Sequence, residues 1–269
     1  MPSIDIGANL CHDSFDADRL AVLERAREAA VKGIVVTGSC SQSVPAAIEL
    51  ARQHPDYLYA TAGIHPHHAA EVDAALLSRL ATWGRAEEVV AMGEMGLDFF
   101  RDIAPRPIQE AAFAAQLDVA ASIGKPLFLH QRDAHERFLP ILREQLTAFP
   151  AAVVHCFTGS EAELLDYIEL GLYVGITGWI CDERRGQHLM DCVKHIPEDR
   201  LLVETDAPYL LPRTIRPKPA SRRNEPMYLN EVIQTIAQAR GQEPAALAET
   251  TYKNTLRFFN LPLANIAIN

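Results

Sequence analysis

Eight short, almost continuously apolar runs recur along this chain, and longer segments with helical periodicity separate them. The runs are SIDIGA near 3 to 8, GIVVTG from 33, LYATAG from 58, VVAMGE from 89, PLFLH from 126, AVVHCF from 152, LYVGITG from 172 and LLVETD from 201. Their starts lie roughly 20 to 37 residues apart, the length of a strand, a crossover helix and two loops. Such runs are typical of parallel strands that are covered on both faces. The pattern therefore predicts an α/β protein with a closed (β/α)8 barrel, the TIM-barrel fold.

Amphipathic helices are predicted between the runs, for example over Arg19 to Ala30 and Glu110 to Ile123, where apolar residues recur at i+3 and i+4 spacing. Two further helices, from about Pro226 to Ala239 and from about Ala245 to Phe259, follow the eighth run. No low-complexity linker interrupts residues 1 to 260. We therefore expect one domain over residues 1 to 269, a barrel with an extra C-terminal helix.

Charge and cysteine content narrow the setting in which the chain works. Its 269 residues carry a net charge of −10, which argues against a protein that coats nucleic acid with its whole surface but allows a local basic patch. The five cysteines are scattered and form no CxxC motif, so neither a disulfide framework nor a zinc knuckle is indicated. No signal peptide and no stretch with the length of a membrane helix is evident. We expect a soluble, cytoplasmic monomer that does not bind membranes.

Ionisable side chains stand at the C-terminal ends of five of the predicted strands. They are His65 after the third run, Glu94 after the fourth, His130 after the fifth, His155 after the sixth and Asp206 after the eighth. Chemistry in such barrels lies at this rim, and imidazole together with carboxylate binds divalent metal ions. The pattern predicts a metal centre with Glu94, His130, His155 and Asp206 as ligands.

The residues around these positions leave some roles open. Asp206 could ligate the metal, take a proton from a metal-bound water, or cap the following turn. Asp98, on the loop after Glu94, could support the site from behind or cap a helix. In the GIHPHH motif we select His65 and expect His67 and His68 to be exposed, because consecutive residues rarely point at one ion. The catalytic candidates are thus Asp206, Glu94 and His65.

Five strings, GEMGLDF, LHQRDAH, VHCFTG, GITGW and ETDAPYLLP, together resemble the TatD family of metal-dependent deoxyribonucleases. The likeness extends over about residues 3 to 260, and five motifs in order are a far more specific signal than one. The resemblance implies a barrel hydrolase, a magnesium-dependent 3′ to 5′ exonuclease on single-stranded DNA and RNA with a place in DNA repair. The metal ligands of the family fall on Glu94, His130 and His155, and its terminal aspartate falls on Asp206.

The first strand departs from the pattern of many relatives, which begin with Asp-x-His-x-His and bind metal through both histidines. This chain has Asp5, Gly7 and Asn9 in those places. We expect Gly7 to leave room in the barrel mouth and Asn9 to offer its amide to a water, a phosphate or Asp206. We expect one firm metal site and one weak site rich in oxygen ligands, which suits Mg²⁺ better than Zn²⁺. Mg²⁺ is the expected ion, with Mn²⁺ and Zn²⁺ as the alternatives.

A basic segment, LPRTIRPKPASRRN, follows the eighth strand directly and so lies beside the predicted metal. Arginines are well suited to phosphate, and we expect Arg213, Arg222 and Arg223 to bind the nucleic acid strand. Trp179, in GITGWIC, is the best candidate for stacking on an unpaired base.

Two functions of other classes compete with the nuclease hypothesis. A metal-dependent amidohydrolase of a small cyclic amide could use the same ligands but has no need of the basic segment. A non-catalytic nucleic-acid-binding barrel could lack the histidines of the first strand, but it has no need of the remaining ligand set. Metal-dependent release of mononucleotides separates these alternatives.

Overall fold

The computed structural model describes residues 1–262, so residues 263–269 of the predicted domain lie outside the described part of the chain. Eight strands form one sheet: β1 (Ser3–Ala8), β2 (Val31–Val36), β3 (Leu58–Ala62), β4 (Val89–Asp98), β5 (Leu127–Arg132), β6 (Ala152–Val154), β7 (Tyr173–Ile176) and β8 (Leu201–Val203). Neighbouring strands are parallel and follow the order of the chain from β1 to β8. The predicted (β/α)8 barrel is confirmed.

The barrel is closed between its first and last strands, just beyond the end of β8. Ala8 forms a parallel bridge with Ala207, and the backbone N–H of Asp206 donates to the carbonyl of Gly7 over 2.8 Å. Beneath this seam the Asp5 carboxylate accepts from the backbone N–H of Thr205 at 2.9 Å. The seam fixes the positions of Asn9 on one side and Asp206 on the other, at the mouth of the barrel.

Helices cover the outer face of the sheet. They are α1 (Arg19–Glu28), α2 (Ser43–Gln53), α3 (Ala74–Gly84), α4 (Arg106–Ala121), α5 (His135–Gln145), α6 (Glu161–Glu169), the short α7 (Leu189–Cys192), α8 (Leu229–Arg240) and α9 (Pro244–Phe259). The predicted helix from Pro226 begins with a 3-10 turn and becomes α-helical at Leu229. Across residues 1–262, none of the helices combines the length and apolarity that crossing a bilayer requires.

The additional helix α9 packs against residues that fill the inside of the barrel. Its Tyr252, Leu256 and Phe259 belong to one buried cluster with Ile6 of β1 and Phe128 of β5. Apolar side chains fill this interior. The polar side chains at the C-terminal ends of the strands therefore lie above a packed core.

Strand β4 is longer than the sequence indicates, since it continues past Glu94 to Asp98 and stays paired with β5 as far as Arg132. Gly93 and Gly96 have φ values of 140° and 146°, and a Cβ atom at either position would collide with a carbonyl of β5. Glycine at both positions lets the two backbones approach closely. This approach places Glu94 and His130 side by side.

Candidate metal centre

One carboxylate oxygen of Glu94 lies among three imidazoles that come from three other strand ends. Glu94 Oε1 is 2.8 Å from Nε2 of His155, 3.0 Å from Nδ1 of His130 and 3.4 Å from Nε2 of His65. Glu94, His65 and His155 are buried, and His130 is nearly so. The structure thus brings together four of the five residues that the sequence placed at this rim.

The separations of Glu94 from His130 and His65 are those of ligands around a common ion, whereas the 2.8 Å contact with His155 is a direct hydrogen bond. Two ligands about 2.1 Å from one metal ion, at octahedral or tetrahedral angles, lie about 3.0 to 3.4 Å from each other. Glu94, His65 and His130 form one group of potential ligands whose donor atoms lie within 4.8 Å of one another. Imidazole nitrogen and carboxylate oxygen are suitable donors for a borderline divalent ion. The donor types of this group therefore suit a divalent metal, while the ligand roles of His155 and Asp206 stay a prediction.

The ionisation of the centre also favours a cation. Burial by itself would raise the pKa of Glu94, but the neighbouring His65, His155 and His130 hold that pKa well below its usual value. Burial would lower the pKa of His155, but Glu94 and Glu204 raise it well above 6.5. Glu94 is thus a carboxylate anion, and His155 readily carries a second ring proton. Positive charge is therefore stabilised between these residues.

Two further carboxylates hold the histidines from the side away from Glu94. Asp98 Oδ2 is 3.3 Å from Nε2 of His130, and Glu204 Oε2 is 3.2 Å from Nδ1 of His155. A carboxylate behind a ligating histidine fixes which ring nitrogen carries the hydrogen and so frees the other for the metal. Asp98 and Glu204 are therefore in position to orient the two imidazoles.

Asp98 combines the two roles that the sequence left open. Its Oδ1 accepts from the backbone N–H of Arg101 at 2.8 Å and so caps the turn after β4. Its Oδ2 faces His130 and lies 3.0 Å from Nε2 of His67. Hydrogen bonds from His130 and His67 outweigh the burial that would raise the pKa of Asp98, and they lower it below 3.8.

The expectation that His67 is exposed is wrong. Its side chain is half-buried, and its ring contacts that of His65 at a centroid distance of 4.2 Å. Consecutive histidines usually diverge, but Pro66 begins a 3-10 turn here, and His65 Nδ1 accepts from the backbone N–H of His67 at 3.1 Å. The tight turn directs both rings into the cavity. His65, His67 and Asp98 form a second group of potential ligands.

The expectation that Gly7 leaves room in the barrel mouth is also wrong. A Cβ atom at Gly7 would lie 2.5 Å from Oε2 of Glu204 and 3.1 Å from the ring of Phe128. On the other side of the carboxylate, a Cβ at Gly175 would lie 2.6 Å from Oε1 of Glu204. The two glycines of β1 and β7 make the space that Glu204 fills. The glycines in the SIDIGA and GITGW strings are the sequence signal for this arrangement. They could not be interpreted in this way without knowing that Glu204 reaches both strands.

Asp206 lies at the edge of the cavity, where Asn9 donates its side-chain amide to Asp206 Oδ1 over 3.0 Å. Of the three partners expected for Asn9, the structure shows Asp206. Burial raises the pKa of Asp206 to about 7; His155 opposes this shift, and Glu94 and Glu204 add to it. A carboxylate with a pKa near neutrality can accept a proton and release it again at working pH.

The centre lies in a cavity of about 930 Å³ that opens at the C-terminal rim of the barrel. Four arginines line it: Arg101, Arg132, Arg185 and Arg222. Arg185 pairs with Asp182, whereas Arg101, Arg132 and Arg222 form no ion pair with any residue from 1 to 262. The cavity therefore presents positive charge that the described protein does not neutralise.

The other predicted arginines have acidic partners. Arg223 pairs with Asp18 and Glu225 at 2.7 and 2.8 Å, and Arg213 pairs with Glu183 at 2.9 Å. A phosphate could bind these arginines only if their three ion pairs with carboxylates were broken. Nucleic-acid binding by Arg213 and Arg223 therefore stays a prediction. The sequence did not mark Arg101 and Arg132 as unpaired cations, because their lack of acidic partners within residues 1–262 depends on distant parts of the chain.

Comparisons with known proteins show the family to which this chain belongs. The model of the TatD related DNase family matches residues 4–260. The "3'-5' ssDNA/RNA exonuclease TatD" of Pectobacterium carotovorum is 52% identical over 257 residues, which are 96% of this chain and 99% of that protein. The Erwinia tasmaniensis protein of the same name is 51% identical with the same coverage.

Solved structures resemble the barrel over nearly its whole length. YJJV, a TatD homologue from Escherichia coli, has a TM-score of 0.87 and 28% identity over 97% of this chain and 98% of its own. A hydrolase of the TatD family from Entamoeba histolytica, at 24% identity, has the same TM-score over 97% of this chain and 99% of its own, and it supports the fold alone. The family match and the relatives at about 50% identity show that this chain belongs to the TatD related DNase family.

Proposed function

We propose that this chain is a metal-dependent 3′ to 5′ exonuclease that hydrolyses phosphodiester bonds of single-stranded DNA and RNA. The observation that carries the proposal is the position of Glu94 Oε1, within 3.4 Å of three imidazole nitrogens, in a cavity where three of the four lining arginines have no acidic partner among residues 1–262. The names of the relatives in Pectobacterium and Erwinia supply the polarity and the substrates.

Glu94, His130 and His155 would hold the firmly bound divalent ion, and Asp206 would complete its ligand set. When bound, such an ion polarises a phosphoryl oxygen and makes water more acidic. We propose Mg²⁺ as the ion in the cell, with Mn²⁺ or Zn²⁺ as substitutes, because Glu94 and Asp206 supply oxygen donors. A second ion would bind weakly.

Asp206 is the proposed proton acceptor for the attacking water. In the hydrolysis, an oxygen–phosphorus bond forms to water, the bond from phosphorus to the 3′ oxygen breaks, and that oxygen leaves with a proton. Asn9 orients the Asp206 carboxylate for this transfer by donating to Oδ1. His65, in contact with Glu94, is the remaining catalytic candidate and would donate a hydrogen bond near the scissile phosphate.

Arg222 is a proposed phosphate contact, and it lines the same cavity as Asp206 and Tyr209. Arg213 and Arg223 would join it only after leaving their carboxylate partners. Trp179 also lines the cavity, and we propose that it contributes to the wall along which the strand lies. A single strand offers both a row of phosphates and unpaired bases to such a surface.

We further propose that the protein acts in the cytoplasm as a monomer and that its nuclease activity serves DNA repair. All five cysteines lie in the described residues and none is paired, as is usual in a reducing compartment. Gel filtration at several concentrations tests the oligomeric state.

The test of the proposed activity uses one oligonucleotide labelled at either end. With Mg²⁺, a 5′ label should pass through a ladder of products that shorten by one nucleotide, whereas a 3′ label should appear at once as a mononucleotide. EDTA should abolish both patterns. A single internal cut, or activity that survives EDTA, would contradict the proposal, and binding without any cut would favour the non-catalytic alternative. Turnover of a cyclic amide without turnover of nucleic acid would favour the amidohydrolase.

A further inference from the structure

An exposed aromatic ring stands at the cavity rim on the loop that follows β4. Phe100 is 56% exposed, although large apolar side chains in the described chain are mostly buried. It lines the same cavity as Glu94 and His130, and Ile103, 62% exposed, lies on the same loop. Exposed apolar groups gathered at the edge of a binding cavity mark a contact surface for a ligand.

The Phe100 ring is supported from one side by a cation. The guanidinium carbon of Arg132 lies 3.8 Å from the centroid of the Phe100 ring, which is a close cation–π contact. Because Arg132 has no acidic partner in residues 1–262, its charge is available to a phosphate beside the ring. Arg132 thus covers one face of the ring, and Phe100 is still 56% exposed.

Trp179 is less available than Phe100 for stacking. Guanidinium carbons of Arg185 and Arg132 lie 4.4 and 5.5 Å from its ring centroid, and its Nε1 donates to the carbonyl of Arg185. The side chain is half-buried. The Trp179 ring is therefore already in contact with two arginines, whereas Phe100 presents the more exposed ring.

We propose that Phe100, backed by Arg132, is a stacking site for an unpaired nucleobase of the substrate strand. This inference rests on the proposed nuclease function and adds a residue that binds the base. The ligand class follows from the combination of a flat apolar face, an uncompensated guanidinium beside it and the metal centre in the same cavity. Paired bases have both faces covered by their neighbours, so the site selects a single strand or a frayed end.

The test compares an octamer of thymidine with an abasic octamer of the same length, both with phosphorothioate linkages that resist cleavage, in the presence of Mg²⁺. Fluorescence anisotropy gives the Kd of each strand for the wild type, Phe100→Ala, Phe100→Trp and Ile108→Ala. Ile108 is 44% exposed on α4 and does not line the cavity, so it is the matched control. Thermal melting establishes that all variants fold.

We expect Phe100→Ala to raise the Kd of the thymidine strand roughly tenfold and to leave that of the abasic strand unchanged. Phe100→Trp should keep binding within about threefold of the wild type, and Ile108→Ala should change nothing. Equal weakening of both strands, no weakening of either, or no discrimination between them by the wild type would overturn the proposal. An unchanged Kd would be the outcome if Phe100 instead serves a protein partner.

Mononucleotide release from the ordinary phosphodiester strand is measured in parallel. Base-dependent binding without hydrolysis would refute the proposed function and leave the stacking site standing. Hydrolysis without base-dependent binding would do the reverse. The two proposals therefore fail separately.

Discussion

Glu204 and Gly7 are complementary: the carboxylate of one fills the space left by the missing side chain of the other. From this position Glu204 reaches Nδ1 of His155, at 3.2 Å, and His155 in turn reaches Glu94. The first strand thus supports the candidate metal centre by making room for the carboxylate of Glu204, which directly follows β8. It does so without supplying a ligand of its own.

A methyl group at Gly7 should therefore disturb both stability and activity. We expect Gly7→Ala to lower the free energy of unfolding by about 1 to 3 kcal/mol, because the new Cβ overlaps with Glu204 and Phe128. In a double-mutant cycle, adding Glu204→Ala should recover part of this loss. Denaturant titration measures both effects. Additive losses would show that the two residues do not share this space.

Histidines at positions 7 and 9 should not create a strong second metal site. Gly7→His would meet the Glu204 carboxylate, and Asn9→His would remove the hydrogen bond to Asp206. We expect the double variant to bind no more metal than the wild type in isothermal titration, and to be less stable. One additional tightly bound ion would contradict this view of the first strand.

Metal affinity should decrease as the pH falls through about 7. Burial raises the pKa of Asp206 to about 7, so below that pH Asp206 carries a proton that a cation must displace. Protons on His130 and His155, whose pKa values are also raised, compete in the same direction. We expect at least a tenfold loss of affinity per pH unit, and a slope about one proton smaller for Asp206→Asn. Isothermal titration in buffers with different ionisation enthalpies counts the protons that metal binding releases. Equal counts for the wild type and Asp206→Asn would exclude Asp206 as a source of these protons.

Asp98 and Glu204 should act through the histidines that they orient. Asp98→Asn and Glu204→Gln are expected to weaken metal affinity about 10- to 100-fold, with activity recovering partly at high metal concentration. Asp133→Asn is the control, because Asp133 is an exposed aspartate after β5 that does not line this cavity. Loss of activity without loss of metal affinity would assign Asp98 and Glu204 another role.

Arg222 and Arg223, although adjacent, should respond differently to removal. Arg222→Ala is expected to raise KM and to reduce the dependence of log K on log salt by about 0.7, the value for one phosphate contact on a single strand. Arg223→Ala should lower stability by about 1 kcal/mol, because Asp18 and Glu225 each lose one of the two arginines that pair with them and keep only Arg25. If only Arg223→Ala changes the salt dependence of binding, the nucleic acid strand contacts Arg223 and not Arg222.

The barrel and most of the centre could be predicted because they depend on local patterns. Apolar runs at regular spacing indicate parallel strands, and the residue after each run lies at the C-terminal rim, as for His130 and His155. What could not be predicted depends on contacts across the barrel. Glu204 between Gly7 and Gly175, and His67 against Asp98, are set by the meeting of distant segments. The ion pairs of Arg223 cannot be derived from its neighbours in sequence. The same holds for Arg132, which has no acidic partner within residues 1–262.

The most direct test is the rate of mononucleotide release from a labelled single strand by the wild type and by Glu94→Ala, each with Mg²⁺ and with EDTA. Glu28→Ala, which removes an exposed glutamate at the end of α1, is the control. We expect EDTA to abolish release, Glu94→Ala to lower it at least 100-fold together with metal affinity, and Glu28→Ala to leave it unchanged. Release that persists in EDTA, or in Glu94→Ala at the rate of the wild type, would contradict a metal centre built on Glu94.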